Sequence, residues 1–141
     1  MPEPNDVSKG FAIAARVVSP RRIVVCEDDS DMRALLAAAL RRDGYDVAVT
    51  SDGQDLLGYL AVDDRSCVVD LIIADQRMPG RTGLEVLAAL RSLNIGVPFI
   101  LMTAFCDAAT RSEAGRLGAA DLLDKPFQLE ELRASVGKLL L

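Results

Sequence analysis

The sequence predicts an α/β domain: a parallel sheet covered by helices on both faces, in three layers. Three observations carry this. Short runs of branched apolar residues alternate strictly with stretches of helical period, five times over. Each run is followed by residues that end regular structure. And the run Leu71 to Ala74 stops at an acid, Asp75, with Pro79 and Gly80 close behind.

The elements follow in order. Residues 1–20 show no clear period and are expected to form a flexible N-terminal extension, with at most a turn of helix at Phe11 to Ala15. The domain is expected to span residues 21–141. Arg22 to Cys26 reads as the first buried strand, ending on Glu27, Asp28 and Asp29. Ser30 is the expected cap of a helix to about Arg42, with Met32, Leu35, Leu36, Ala39 and Leu40 on one face, and Asp29 reads as a first-turn acid. Asp43 and Gly44 stop it. Asp46 to Val49 is the second strand, and Ser51 to Gln54 resembles a capping box opening a helix to about Val62. Asp63 to Ser66 is a loop before the third strand, which delivers Asp75.

Thr82 to Glu85 is a second capping box, opening a helix along Leu84, Val86, Leu87, Leu90 and Leu93 that Asn94 and Gly96 close. Pro98 to Met102 forms strand four and ends at Thr103. Asp107 caps a helix to about Leu117, stopped by Gly118. Ala120 to Leu123 is strand five, ending at Asp124, Lys125 and Pro126. A last helix runs from about Leu129 to the C-terminus.

Composition removes several classes of function. Hydrophobic residues make up 50% and charged residues 26% of 141, which suits one soluble domain. The net charge of -5 gives no bulk attraction to nucleic acid. No apolar run approaches the roughly 20 residues that cross a bilayer, and the acidic, proline-bearing start is unlike a secretory signal. Three cysteines without paired spacing argue against a disulfide framework, so the cytoplasm is the expected compartment. Cys26 and Cys67 are expected in or near the core, and Cys106 is read as incidental. The absence of histidine excludes Ser-His-Asp and Cys-His catalysis, His-ligated zinc and phosphate carriage on histidine.

In an open parallel sheet, ligands bind outside the carboxyl ends of the strands. Those ends carry Glu27 and Asp28, Asp75, Thr103 and Lys125. Three carboxylates together repel, and a hard divalent cation relieves this; Mg2+ suits two carboxylates, a backbone carbonyl, waters and a phosphate oxygen. Lys125 adds a point charge and Thr103 one donor. The set fits an aspartate that takes up a phosphoryl group by nucleophilic attack. Alone, Asp75 would read as a turn former, Glu27 and Asp28 as helix-capping acids and Lys125 as a solvated charge. The five positions together favour the site.

Glu27 and Asp28, DLIIADQRMPG, LMTA and DKPF resemble, in spacing and order, the response-regulator receiver domain, from about Arg21 to the C-terminus. The resemblance implies a flavodoxin-like fold with strand order 2-1-3-4-5. It implies Asp75 as phosphoacceptor and Glu27 and Asp28 as the metal-binding acids, Asp28 the more direct. It implies that Arg77 lends a backbone carbonyl to Mg2+, that Thr103 is the switch hydroxyl, and that Lys125 contacts the phosphoryl group, its bond to Pro126 being cis in many relatives. The implied partner is a sensor histidine kinase or a histidine phosphotransfer protein. The apolar end, Leu139 to Leu141, is a candidate for burial in a homodimer or against a downstream output domain or protein.

The sequence departs from the family at Leu122, where relatives usually carry Tyr or Phe. The face formed by helix four, strand five and helix five is therefore expected to respond weakly or differently. It also carries Arg77 and Phe105 at two positions that influence hydrolysis in relatives; neither suits the orientation of an attacking water. Two rival readings stand beside the phosphorylation switch: a receiver-like interaction module that works without phosphorylation, and a phosphohydrolase with an aspartyl intermediate. Arg77 stands where many such hydrolases carry a second acid.

Overall fold

The computed structural model describes residues 20–61 and 68–141. The expected N-terminal extension up to residue 19, the loop at 63–66, Val62 and Cys67 lie outside the described residues.

Five strands, β1 (Arg22–Cys26), β2 (Asp46–Thr50), β3 (Leu71–Asp75), β4 (Phe99–Thr103) and β5 (Asp121–Asp124), form one parallel sheet in the order β2-β1-β3-β4-β5, as expected. Among the described residues, five helices connect and follow them: α1 (Ser30–Arg42), α2 (Gly53–Ala61), α3 (Gly83–Ser92), α4 (Ala108–Arg116) and α5 (Leu129–Leu139).

The alternation of strand side chains divides the core in two. Ile23, Val25, Leu71, Ile73, Ile100 and Met102 face one way, against Leu36 and Leu40 of α1 and Leu132 and Val136 of α5. Val24, Cys26, Ile72, Ala74, Phe99 and Leu101 face the other, against Leu56 of α2, Val86, Leu87 and Leu90 of α3 and Ala114 of α4. All five residues of β3 are buried. Burying each large aliphatic side chain contributes about 1.5–3 kcal/mol, so this central strand is firmly anchored where it delivers Asp75.

The helix starts correct two expectations by one residue each. Ser30 does not cap α1. Asp29 does, with an extended backbone and a side chain that accepts from the amides of Asp31 and Met32; the first-turn acid is Asp31. At α2 the carboxylate of Asp52 accepts from the Asp55 amide at 2.7 Å, one residue beyond the expected Ser51. In both places two neighbouring residues carry a suitable oxygen, and the aspartate is the one whose side chain meets the free amides. The capping box at α3 forms as expected between Thr82 and Glu85, and Asp107 caps α4 through the Thr110 amide.

One arginine closes the amino-terminal end of the sheet. The Arg91 guanidinium donates to the carbonyls of Ile95, Val97, Leu117 and Gly118, tying the exit of α3 to that of α4. Among the described residues no helix is long and apolar enough to cross a membrane.

Candidate functional site

The parallel register aligns the strand ends. Cys26 pairs with both Thr50 and Ala74, Asp75 with Met102, and Thr103 with Asp124. The next residue along β1 is Glu27, and the next along β5 is Lys125. The side chains singled out in the sequence therefore meet at one edge.

Backbone contacts fix Asp75 in place. The Gln76 amide donates to the Met102 carbonyl at 2.7 Å, and the Gln76 carbonyl accepts from the Gly83 amide at 3.1 Å. The Gln76 side chain accepts from the Leu84 amide, so the first turn of α3 is held against the end of β3. Gly83 allows this approach. A Cβ there would lie 2.7 Å from the Asp75 carbonyl oxygen and 2.6 Å from Leu101. Gly83→Ala is expected to cost about 1–3 kcal/mol through overcrowding. Gly58→Ala, whose added Cβ meets nothing within 4 Å, is the matched control. Urea unfolding of the two variants checks this, and equal midpoints would contradict it.

Glu27, Asp75 and Thr103 are buried polar residues, and Asp28 is exposed. Lys125 Nζ donates to Glu27 Oε1 at 2.7 Å and lies 3.3 Å from Asp75 Oδ1. Glu27 also accepts from the Asp29 amide. Arg33 of α1 reaches back and donates to the carbonyls of Glu27 and Asp28, bracing the loop that holds the acid pair. Each of Glu27, Asp28 and Asp75 offers an oxygen within 4.8 Å of the others. The peptide bond between Lys125 and Pro126 is cis.

Three carboxylates thus face one ammonium. Burial pushes the Glu27 carboxyl above the ordinary range, with the Lys125 hydrogen bond opposing it. Burial likewise raises Asp75, against the pull of the Lys125 charge. Burial by itself would lower Lys125, but the Glu27 hydrogen bond and the Asp75 charge outweigh it, and its pKa stands above the ordinary value. The site holds excess negative charge, and the chemistry of its donors fits a hard divalent cation.

The Thr103 hydroxyl accepts from the Phe105 amide at 3.1 Å, leaving its own proton free to donate. Arg77 is exposed on the loop after β3, and its guanidinium sits 4.7 Å from the centre of the Phe105 ring. An exposed cation–π contact of this kind is worth about 0.5–1 kcal/mol. Sequence reasoning marked both residues but not their meeting, and it missed Arg33. A cleft of about 640 Å3, lined by Arg33, Thr50, Gln54 and Tyr59 among others, opens beside the β2 edge and includes none of the three acids. Neither described cysteine is primed as a nucleophile: burial pushes Cys26 up to about 11, and Cys106 is raised as well.

The family model for the response regulator receiver domain matches residues 23–137. The chain belongs to the response regulator receiver family. Among curated relatives of this receiver, the transcriptional regulatory protein ZraR of Salmonella typhimurium is 36% identical over 118 residues, 84% of this chain and 26% of that protein. The response regulator MprA of Mycolicibacterium vanbaalenii is 38% identical over 121 residues, 86% of this chain and 51% of its own. The chain therefore spans between about a quarter and about half the length of these two relatives. Among solved structures, the receiver of a Francisella response regulator has a TM-score of 0.77 at 28% identity, covering 84% of this chain and 95% of that one. The regulator TrrA of Thermotoga maritima, solved in complex with Mg2+ and BeF, has a TM-score of 0.72 at 33% identity, covering 85% of this chain and 99% of that one. The fold and the two-component signalling class of this receiver are those expected from its sequence.

Proposed function

We propose that this receiver is a phosphorylation switch whose phosphoacceptor is Asp75, with residues 21–141 as the working domain and residues 1–20 as an extension to it. The supporting observation is the convergence of Asp75, Glu27, Asp28 and Lys125 at one sheet edge, with three acids within 4.8 Å of one another and one lysine bridging two of them. A sensor histidine kinase or histidine phosphotransfer protein is the proposed donor. A carboxylate oxygen of Asp75 attacks the phosphorus of a phosphohistidine; the new P–O bond forms as the P–N bond breaks, and the departing imidazole takes up a proton. Asp28, Asp75 and the backbone carbonyl of Arg77 would hold Mg2+, with Glu27 beside them. When bound, Mg2+ neutralises charge on the transferred group. Lys125 would stabilise the phosphoryl oxygens through its charge, and Thr103 would donate its hydroxyl proton to one of them. The chain acts only on itself, promoting its own phosphorylation and slow dephosphorylation, in the cytoplasm. A homodimer, or an output domain or protein, would receive the signal; direct contact with nucleic acid is not part of the proposal.

Acetyl phosphate with Mg2+ tests this reading. A lasting mass increase of one phosphoryl group, mapped to Asp75, is the expected result. No modification would favour an interaction module that works unphosphorylated, the reading that Leu122 keeps open against the five site positions. Rapid turnover of the donor would favour a hydrolase.

The phosphorylated form is expected to persist well beyond seconds without a phosphatase. Neither Arg77 nor Phe105 offers an acid or amide to orient an attacking water. The time course of phosphate release after removal of acetyl phosphate checks this; complete loss within seconds contradicts it.

A further inference from the structure

We propose that Phe105, at the mouth of the site, carries the switch signal in this receiver, an inference that rests on the phosphoacceptor reading of Asp75. Two links hold Phe105, one from Thr103 and one from the loop that follows Asp75. Its amide donates to Thr103 Oγ1 at 3.1 Å, and its ring lies under the guanidinium of Arg77, two residues beyond Asp75. Phe105 as a whole is 64% exposed, so little other packing fixes it. Strand β5 offers no aromatic in its place. Leu122 is half-buried and aliphatic, and it borders a shallow cavity of about 250 Å3 that Arg111, Ala114 and Ala119 also line.

A phosphoryl group on Asp75 would act on both links at once. It replaces the single carboxylate charge of Asp75 with up to two on phosphoryl oxygens that lie farther out, toward the mouth of the site. A guanidinium over an exposed ring is held weakly, whereas a guanidinium beside phosphoryl oxygens makes charge-assisted, often paired hydrogen bonds. Arg77 is drawn off the ring toward the new charge. The Thr103 hydroxyl turns to donate to a phosphoryl oxygen, and its lone pairs turn away from the Phe105 amide. Phe105 and the loop at 104–107 then favour a second placement, because the charge interacts differently with the two placements. The phosphorylation-dependent surface is therefore formed by the loops after β3 and β4, and its reader is a partner that meets an exposed aromatic ring beside the site.

The chain contains no tryptophan, so Phe105→Trp places a single indole at this point. Mg2+ and beryllofluoride are added to the whole chain, and binding at Asp75 is followed independently by the fluorine resonance of the bound species. On binding, the emission maximum is expected to shift to longer wavelength and acrylamide quenching to increase. In an Arg77→Gln background the spectrum should already be shifted before addition, with little further change. Unchanged emission and quenching in protein that shows the bound fluorine signal overturns the proposal, as does a full response in the Arg77→Gln background. Absence of the bound signal overturns the phosphoacceptor reading and this proposal with it.

Discussion

Asp75→Asn is expected to abolish phosphoryl uptake from acetyl phosphate and to stabilise the protein in the absence of Mg2+. An amide is not a competent nucleophile toward phosphorus, so the first effect is complete. The second is electrostatic. Asp75 is 6% exposed, and Lys125 lies nearer to Glu27, at 2.7 Å, than to Asp75, at 3.3 Å. The variant removes one buried charge from a cluster of three acids, while its side-chain oxygen can still accept from Lys125. A gain on the order of 1 kcal/mol is expected at neutral pH. Burial raises the folded-state pKa of Asp75 above its unfolded value. Its ionisation therefore opposes folding fully above the raised value; the opposition fades as pH falls through that value and is gone below the ordinary carboxylate value of about 4. The advantage of the variant should follow the same course, full at neutral pH and lost in acid. Mg2+ should stabilise the wild type more than the variant, because it adds stability in proportion to its binding to the folded state. Thermal melts at neutral and acid pH, with and without Mg2+, give the comparison. A variant less stable at every pH, or equal stabilisation of both proteins by Mg2+, would contradict the account.

Lys125→Ala is expected to be the most destabilising change at the site, costing about 3 kcal/mol at neutral pH. It leaves Glu27, 1% exposed, with the Asp29 amide as its remaining described donor. The Glu27 pKa, already raised by burial, loses the lysine that held it back and rises further. The deficit is full above that higher value and shrinks as pH falls through it toward the ordinary carboxylate range, where Glu27 becomes neutral in both folded and unfolded chains. Lys125→Met keeps a comparable apolar stem without charge and should show most of the same deficit. Phosphoryl uptake should fall in both variants. Urea midpoints across pH decide the matter: a deficit that does not vary with pH, or a methionine variant as stable as wild type, would sink the electrostatic explanation.

The five strands and the gathering of Glu27, Asp28, Asp75, Thr103 and Lys125 were legible because each depends on one-dimensional information, whereas the order of the strands came with the resemblance to the receiver family. Apolar runs mark the strands, and a polar residue at the end of each run marks the edge where parallel strands finish. What escaped depends on contacts without a period. Asp29 rather than Ser30 caps α1 because backbone direction chooses between two adjacent oxygens. Arg33 braces the acid loop through two backbone carbonyls, and carbonyls leave no trace in residue type. Arg77 meets Phe105 across two loops whose path no hydrophobic pattern sets. Lys125 was readable as a partner for a carboxylate, but its closer approach to Glu27 than to Asp75 follows from the spacing of strands in three dimensions.

The bond between Lys125 and Glu27 joins residues 98 positions apart, just past the ends of the first and last strands in chain order. During synthesis the glutamate leaves the ribosome early, and its counter-charge comes with almost the last of the domain. Until then a buried acid has no lysine to meet, and the sheet edge that will hold the reaction stays open. A chain stalled before the final strand thus carries an unbalanced charge at its centre. The same ion pair that prepares the site also makes its completion a late, whole-domain event, so a half-made receiver cannot assemble the acceptor constellation.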